Sequence, residues 1–476
     1  MRLHWHRREL RTADNPALTV DDDAVVGLFV FDPAVLTHAA PPRMAFLRDA
    51  LASLATTYRK EGGRLLLARG DPTTVVPEVA ALLDTTAVSW GEDYSGLARE
   101  RDAMVRRRLA DRDIERKTVH EAVHHEPGTI TTNDGDPYKV FTYFSKKWHK
   151  REKEPPADTP NKFDSVVAVD TNGSELGDGA LLDDIPTLSA LGFSEPEATI
   201  PQAGTDHARE HLDQFCTDDI YRYGDRRDYP ADDCTSRLSV HLKYGTIGIR
   251  EVYARTEEAL ADAETEAERD SVREFQDQLA WREFYMQVLW DRPDVVTQNY
   301  KEYQNPIAWR ESPDAVAAWK AGETGYPIVD AGMRQLREEA FMHNRVRMIV
   351  ASFLTKDLLV DWRVGYAWFR ERLVDHDTAN DNGGWQWAAS TGTDAQPYFR
   401  IFNPMTQGER YDPDATYIKR YVPELTGVPA DIIHSWHEVD AGARRMHAPE
   451  YPAPIVDHSE RREQALAMFE HARGDS

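Results

Sequence analysis

Several stretches of this chain bring hydroxyls, guanidiniums, carboxylates and aromatic rings together at spacings that chemistry could use. Thr235-Ser236-Arg237-Leu238-Ser239 runs into an apolar-periodic helix. Thr235 or Ser236 is expected to cap that helix, and the free N–H groups of a helix start attract anions, so the stretch is either a simple cap or a phosphate site. Between Val272 and Leu289 the residues Gln278, Trp281, Arg282 and Tyr285 fall at i, i+3, i+4 and i+7 and share one helical face. Such a face is either a solvated polar stripe around a half-buried Trp or a surface that stacks a base and holds a phosphate.

Asn344, Arg347 and Met348 share another helical face, with Arg345 beside them in His343-Asn344-Arg345-Val346-Arg347-Met348. Two arginines in an apolar helix need partners. Asp375 and Asp377 can supply them, as a structural ion pair or as part of a ligand site. No metal is expected: residues 375–385 lack the spaced ligands and closing Glu of a calcium loop, and the single His376 does not make a zinc site. Cys216 and Cys234 are the only cysteines, so there is no disulfide framework.

The elements that must position these groups fall into two kinds. Arg2–Trp5, Val25–Phe31, Arg64–Ala68, Ala87–Trp90 and Ile114–Val119 read as strands, separated by helical patterns such as Met44, Leu47, Leu51, Leu54 and Tyr58. This alternation predicts a doubly wound, parallel, Rossmann-like α/β domain over 1–130. No GxGxxG follows the first strand, which speaks against a nicotinamide dinucleotide. Pro, Asp, Gly and Ser dominate from Glu154 to Gly204, so 131–206 is expected to be an interdomain connection. From 207 to 476 the patterns are helical, and nine of the twelve tryptophans lie there.

At 476 residues the chain is about twice the length at which a single core stops growing. Its longest apolar run, Val25–Phe31, is far short of the roughly 20 residues of a membrane span, and no secretory signal is evident at the start. A soluble cytoplasmic protein is expected. With 82 acidic against 57 basic residues the net charge is −25, which repels polyanions in bulk and requires any anionic partner to meet a local basic patch. Acid spread along the whole chain suits concentrated salt, and a halophilic host is expected.

Trp5-His6-Arg7-Arg8-Glu9-Leu10-Arg11 with Asp14-Asn15, Thr235 to Ser239, Trp281-Arg282-Glu283-Phe284-Tyr285, Thr324 to Asp330, and Gly383 to Asp394 occur in that order. The chain thereby resembles the DNA photolyase and cryptochrome family, most closely its class I cyclobutane-pyrimidine-dimer photolyases. The resemblance implies an antenna domain followed by an all-α domain that binds FAD and acts on UV-damaged DNA, as a monomer with no obligate protein partner and no membrane. By motif position Tyr223, Thr235, Ser236, Arg237, Leu238 and Ser239 would contact FAD. Asn344, Arg347, Asp375, His376, Asp377 and Asp381 would lie around it. Trp385, Trp362 and Trp309 match the tryptophans that relay electrons to the flavin in light. Trp281, Trp387, Asn344 and Met348 would face the lesion, and Arg227, Gln278, Arg282, Tyr285, Arg345 and Gln407 would complete the DNA surface. Photolyases are among the enzymes that flip their target out of the helix, so the dimer is expected to leave the duplex.

Three departures qualify the resemblance. Gln278 stands where cyclobutane-dimer enzymes carry Glu and (6-4) photolyases carry Gln, which makes a (6-4) photolyase one alternative. Asn344 and Met348, however, occupy the places of the two histidines those enzymes need as acids. Asp381 stands where photolyases carry Asn beside flavin N5 and plant cryptochromes carry Asp. A neutral acid there could protonate reduced N5, the basis of the second alternative, a blue-light photoreceptor. Lastly, Arg292 to Thr297 has no Cys-Lys pair of the kind found in folate-using relatives. The second chromophore is therefore expected to be a deazaflavin of the F420 type rather than methenyltetrahydrofolate.

Overall fold

The computed structural model describes residues 1–19, 24–160, 162–164, 176 and 180–475. Strands β1 (Arg2–His6), β2 (Val25–Phe31), β3 (Leu65–Arg69), β4 (Ala87–Gly91) and β5 (Glu115–Val119) each lie within one residue of their expected ends. They pair in parallel, and β6 (Leu181–Leu182) adds antiparallel to the edge of β3, giving the order β5-β4-β1-β2-β3-β6. Period-two alternation sorts the side chains of the inner strands. Leu28, Val30, Leu66 and Ala68 meet the helices Pro72–Leu82 and Gly96–Ala110 on one face, while Phe29, Phe31, Leu65 and Leu67 meet the helix Pro41–Lys60 on the other. Both faces are covered, so β1 and β2 are buried along their whole length, as a parallel sheet requires.

The chain after Thr205 is helical. One core gathers the helices Pro327–Glu339, Asn344–Ser352, Trp362–Arg372 and Thr378–Ala388. A second gathers Thr205–Thr217, Ile249–Asp262 and Glu266–Asp291, together with an earlier helix, Phe141–Lys150. That earlier helix lies inside the expected connection. Phe141, Phe144 and Trp148 recur at i, i+3 and i+7 and carry it into the helical core, with Trp148 fully buried. Residues 161, 165–175 and 177–179 of the same connection, including Asn172-Gly173-Ser174, lie outside the described residues.

Two sequence motifs resolve into scaffolding. In Thr324 to Asp330 the Asp330 carboxylate accepts from Thr324 N and Oγ1 (both 2.7 Å), Gly325 N (3.0 Å) and the Tyr451 hydroxyl (2.5 Å). Gly325 sits at φ +74°, and a Cβ there would lie 2.4 Å from the Ala453 carbonyl carbon. The segment Arg7 to Asn15 docks the α/β unit onto the helical one. Leu10 N donates to Tyr244 O (3.1 Å), Arg11 Nη1 to Gly245 O (3.0 Å) and Arg8 Nη2 to Asp377 Oδ2 (2.6 Å). Among the described residues no helix is long and apolar enough to cross a membrane.

Candidate cofactor and lesion cavity

A cavity of about 510 Å³ opens within the helical unit. The helix Glu266–Asp291 begins with a capping box, in which Thr265 and Glu268 bond each other's backbone, and presents Gln278, Trp281, Arg282 and Tyr285 to that space. The helix Asn344–Ser352, N-capped by His343, supplies Asn344, Arg345, Arg347 and Met348. The helix Thr378–Ala388 supplies Asp381, Trp385 and Trp387, and its cap, Asp377, accepts from the N–H groups of Ala379 and Asn380.

The expectation of a Thr235 or Ser236 cap is corrected. The helix there is only Ser239–Tyr244, and Leu238 stands at its N-cap with no side-chain cap bond. Just before it Arg237 is left-handed (φ +51°), with its side chain ion-paired to Asp233 (2.6 Å) and Glu339 (3.3 Å) and the Phe341 ring 4.1 Å away. Thr235, Ser236, Arg237, Leu238 and Ser239 still line the cavity, as does Tyr223.

Charge inside the cavity is organised around Arg347. Its Nη2 meets both oxygens of Asp375 (2.8 and 3.0 Å), Ser239 Oγ donates to the same carboxylate (2.6 Å), and Nη1 lies 3.6 Å from Asp381 Oδ1. Burial alone would raise the Asp377 carboxyl, but Arg8, Lys243 and Arg282 outweigh it and hold Asp377 far below the usual carboxylate range. Lys243, buried among these groups, falls to about 8 through desolvation.

The structure thus brings together most of the residues singled out from sequence, with exceptions. His376 lies behind the cavity lining, its Nδ1 2.6 Å from Asp381 Oδ2. Gln407, on the helix Pro404–Tyr411, does not reach the lining, and its Oε1 is buried without a partner. Trp362 and Trp309 stand off the cavity; Trp362 is fully buried with Nε1 donating to Asn299 Oδ1 (2.9 Å), and Trp309 is half-buried, edge-on to Phe469. Arg282 lines the space with its stem while its guanidinium donates to the carbonyls of Ala122 and Leu242. Arg345 is paired with Asp228 (2.6 Å) and Arg227 with Glu274 (2.9 Å).

Sequence reasoning missed Lys243, His343 and Phe141. Lys243 lies four residues after Ser239 on the same helix, which is the signal that could have found it. Phe141 stacks face to face on Trp281 at 3.8 Å and 10°, and nothing local announces a contact across 140 residues of chain.

Apolar walls, a buried arginine–carboxylate pair, a cluster of hydroxyls and a buried Trp385 Nε1 without a partner fit a large aromatic ligand that carries phosphates. The fold and site therefore define a protein in which a doubly wound α/β unit is docked on a helical unit built around one cofactor-sized cavity. Residues 2–161 match the family model described as DNA photolyase, and residues 275–471 match the FAD binding domain of DNA photolyase. The chain belongs to the DNA photolyase family. It is 61% identical to the deoxyribodipyrimidine photo-lyase of Halobacterium salinarum, over the whole of both chains. Among solved structures it is similar to a class III photolyase from Agrobacterium tumefaciens (TM-score 0.90, 33% identity, 99% of this chain and 98% of that one). It is also similar to an archaeal photolyase from Sulfolobus tokodaii described with two FAD molecules (TM-score 0.81, 32% identity, 99% of each chain).

Proposed function

We propose that this protein is a light-driven lyase that repairs cyclobutane pyrimidine dimers in DNA. The observation that carries the reading is that one cavity is lined both by the groups assigned to FAD (Ser236, Ser239, Arg347, Asp375) and by those assigned to the lesion (Gln278, Trp281, Asn344, Trp387). FAD held there would supply light-driven electron transfer to the dimer, with return of the electron after the ring splits.

Everything else falls to this chain's own residues. Thr235 and Ser236 offer hydroxyls to phosphates. Arg347, fixed by Asp375 and Ser239, orients the flavin ring. Trp281 and Trp387 give a flipped dimer two apolar aromatic surfaces, which favours the unstacked lesion over an intact pair because its unpairing costs least. Trp385 borders the cavity, Trp362 is buried and Trp309 reaches the surface, an order suited to bringing an electron in from outside. No side chain acts as a nucleophile.

A second chromophore of the deazaflavin type fits the missing Cys-Lys pair. In doubly wound sheets ligands bind beyond the carboxyl ends of the strands where the order reverses, here between β1 and β4. The protein acts as a monomer in the cytoplasm of a salt-adapted cell. Purified protein with reduced FAD should restore a dimer-containing oligonucleotide under blue light in concentrated salt; an unchanged oligonucleotide would overturn the proposal. Solvent extraction of the holoenzyme should release FAD and a deazaflavin, and release of a folate would overturn the antenna assignment.

A further inference from the structure

The acid at position 381 would favour a photoreceptor only if it carried a proton that it could give away. The structure places it between an imidazole and a guanidinium. His376 and Asp381 are five residues apart across the start of the helix Thr378–Ala388, and their side chains meet with Nδ1 2.6 Å from Oδ2. Both are largely withdrawn from water, with side chains 6% and 10% exposed. The other oxygen of Asp381 lies 3.6 Å from Arg347 Nη1. An imidazole nitrogen thus stands at one oxygen of Asp381 and a guanidinium near the other.

The surroundings favour a neutral imidazole. Burial lowers His376 against the pull of Asp381, and the cations Arg43 and Lys243 lower it further. The Tyr366 ring stands 5.5 Å from the imidazole, and the remaining charged neighbours, Arg347, Asp375 and Asp377, are tied in ion pairs of their own. In the tautomer that carries its proton on Nδ1, a neutral imidazole donates from that nitrogen, and Asp381 Oδ2 is the acceptor in reach.

We propose that His376 is a positioning residue that keeps Asp381 a hydrogen-bond acceptor, so that the aspartate beside the flavin gives no proton to N5 and the chain works as a repair enzyme in spite of it. This rests on the proposed function, in which Asp381 lies at the flavin. His376 and Asp381 act as one unit: the imidazole proton stays on Nδ1, shared with Oδ2, and the negative charge on Asp381 is balanced by Arg347. Without His376, Asp381 Oδ2 loses its donor and can take a proton from water. That proton can then pass to N5 of a one-electron-reduced flavin, leaving Asp381 as the carboxylate.

The test uses FAD-loaded full-length protein, photoreduced and followed by the long-wavelength absorption of the N5-protonated one-electron flavin. In His376→Ala that absorption should persist about tenfold longer than in wild type at neutral pH, the effect of removing one hydrogen bond to a charged group. His376→Asn, whose Nδ2 can stand near the place of Nδ1, should restore the wild-type lifetime. The double variant His376→Ala/Asp381→Asn should lose the persistence altogether. Infrared spectra should show a protonated-carboxyl stretch in His376→Ala that is absent from wild type and from the double variant, a readout independent of turnover. A wild-type lifetime in His376→Ala, where Asp381→Asn alone alters it, would overturn the role of His376. If neither substitution changes the flavin spectrum or lifetime, the placement of Asp381 at the flavin is what fails. If His376→Ala does not fold, the infrared comparison of His376→Asn with wild type decides: a protonated-carboxyl band in that variant would overturn the proposal, and its absence supports it.

Discussion

Replacing Asp377 by Asn and by Ala separates two duties of a single carboxylate. Asp377 caps the helix that carries Asp381, Trp385 and Trp387, accepting from Ala379 N and Asn380 N at 3.1 Å each, and its other oxygen pairs with Arg8 of the α/β unit at 2.6 Å. Asn keeps an oxygen for the cap but removes the charge; Ala removes both. Breaking a buried pair by deleting one partner costs about 3–5 kcal/mol. Side-chain exposures of 22% for Arg8 and 12% for Asp377, with Asp93 3.9 Å away as a second partner for Arg8, put Asp377→Asn near the lower figure. Loss of the cap adds about 1 kcal/mol in Asp377→Ala. The Asn variant should therefore melt roughly 6 °C or more below wild type, with Ala a few degrees lower again. Arg8→Met should cost a similar amount, and the double variant Arg8→Met/Asp377→Asn should fall well short of the sum, with a coupling of about 1.5 kcal/mol or more. Because Asp377 is held below the usual carboxylate range, the advantage of wild type over Asn is full above about pH 4 and shrinks as pH falls below it. Differential scanning calorimetry of the holoenzyme reads all four proteins. Additive effects of Arg8→Met and Asp377→Asn, or an Asn variant within about 2 °C of wild type, would refute the clamp.

Further outcomes follow from other interactions. Trp385→Phe should abolish photoreduction of the flavin while chemically reduced enzyme still repairs, read by absorbance and by dimer reversal. Phe141→Ala removes the ring stacked on Trp281 and should weaken binding of dimer-containing DNA by about tenfold with FAD content unchanged, measured by fluorescence anisotropy. Burial pushes the Asp357 carboxyl up to about 6 against its bond to His458 (2.6 Å). The folded state therefore holds a proton that the unfolded state releases near pH 4, and stability should fall by about 2 kcal/mol as pH rises from 4 to 6. Asp357→Asn should flatten that slope in denaturant titrations. Lys146→Glu/Lys150→Glu on the exposed side of Phe141–Lys150 should weaken DNA binding and make its logarithmic salt dependence shallower by up to about 0.9 for each phosphate no longer neutralised.

The α/β unit was legible almost to the residue, because parallel strands buried on both faces show as unbroken apolar runs separated by turn residues. The edge strand Leu181–Leu182 was not, since two residues carry no periodicity and the strand exists only because β3 offers a free edge. Within the helical unit, the face Gln278, Trp281, Arg282 and Tyr285 was readable from spacing, as was Asn344, Arg347 and Met348. What spacing could not give was direction. Arg282 shares its face with Trp281 yet turns its guanidinium to the Ala122 and Leu242 carbonyls, a choice made by a loop 160 residues earlier in the chain. The helix start at 235–239 misled for a related reason: Thr and Ser favour caps, but Arg237 is left-handed and the helix begins only at Ser239, beyond the reach of either hydroxyl as a cap. Trp319, unremarked in the sequence, stands edge-on to Trp385 at 6.2 Å, a proximity that no linear pattern encodes.

The net charge of −25 sets the terms on which such a protein can hold a polyanion. Many of the arginines that sequence assigns to DNA are committed within the fold: Arg227 to Glu274, Arg345 to Asp228, Arg282 to backbone carbonyls. The segment that breaks the acidic pattern is 139–153, where Lys139, Lys146, Lys147, Lys150, Arg151 and Lys153 accompany a single acid, Glu152. Its helix packs against the cavity through Phe141 on Trp281, which sets the cationic edge beside the aromatic wall. Phosphate contacts weaken steeply in concentrated salt, whereas stacking on an aromatic face does not depend on counterions. A short cationic edge for encounter and an aromatic cavity for retention is thus the division of labour that an acidic surface leaves available. Under the proposed function it would also bias retention toward DNA with a base already loosened from its stack, since Trp281 and Trp387 would meet a flipped residue.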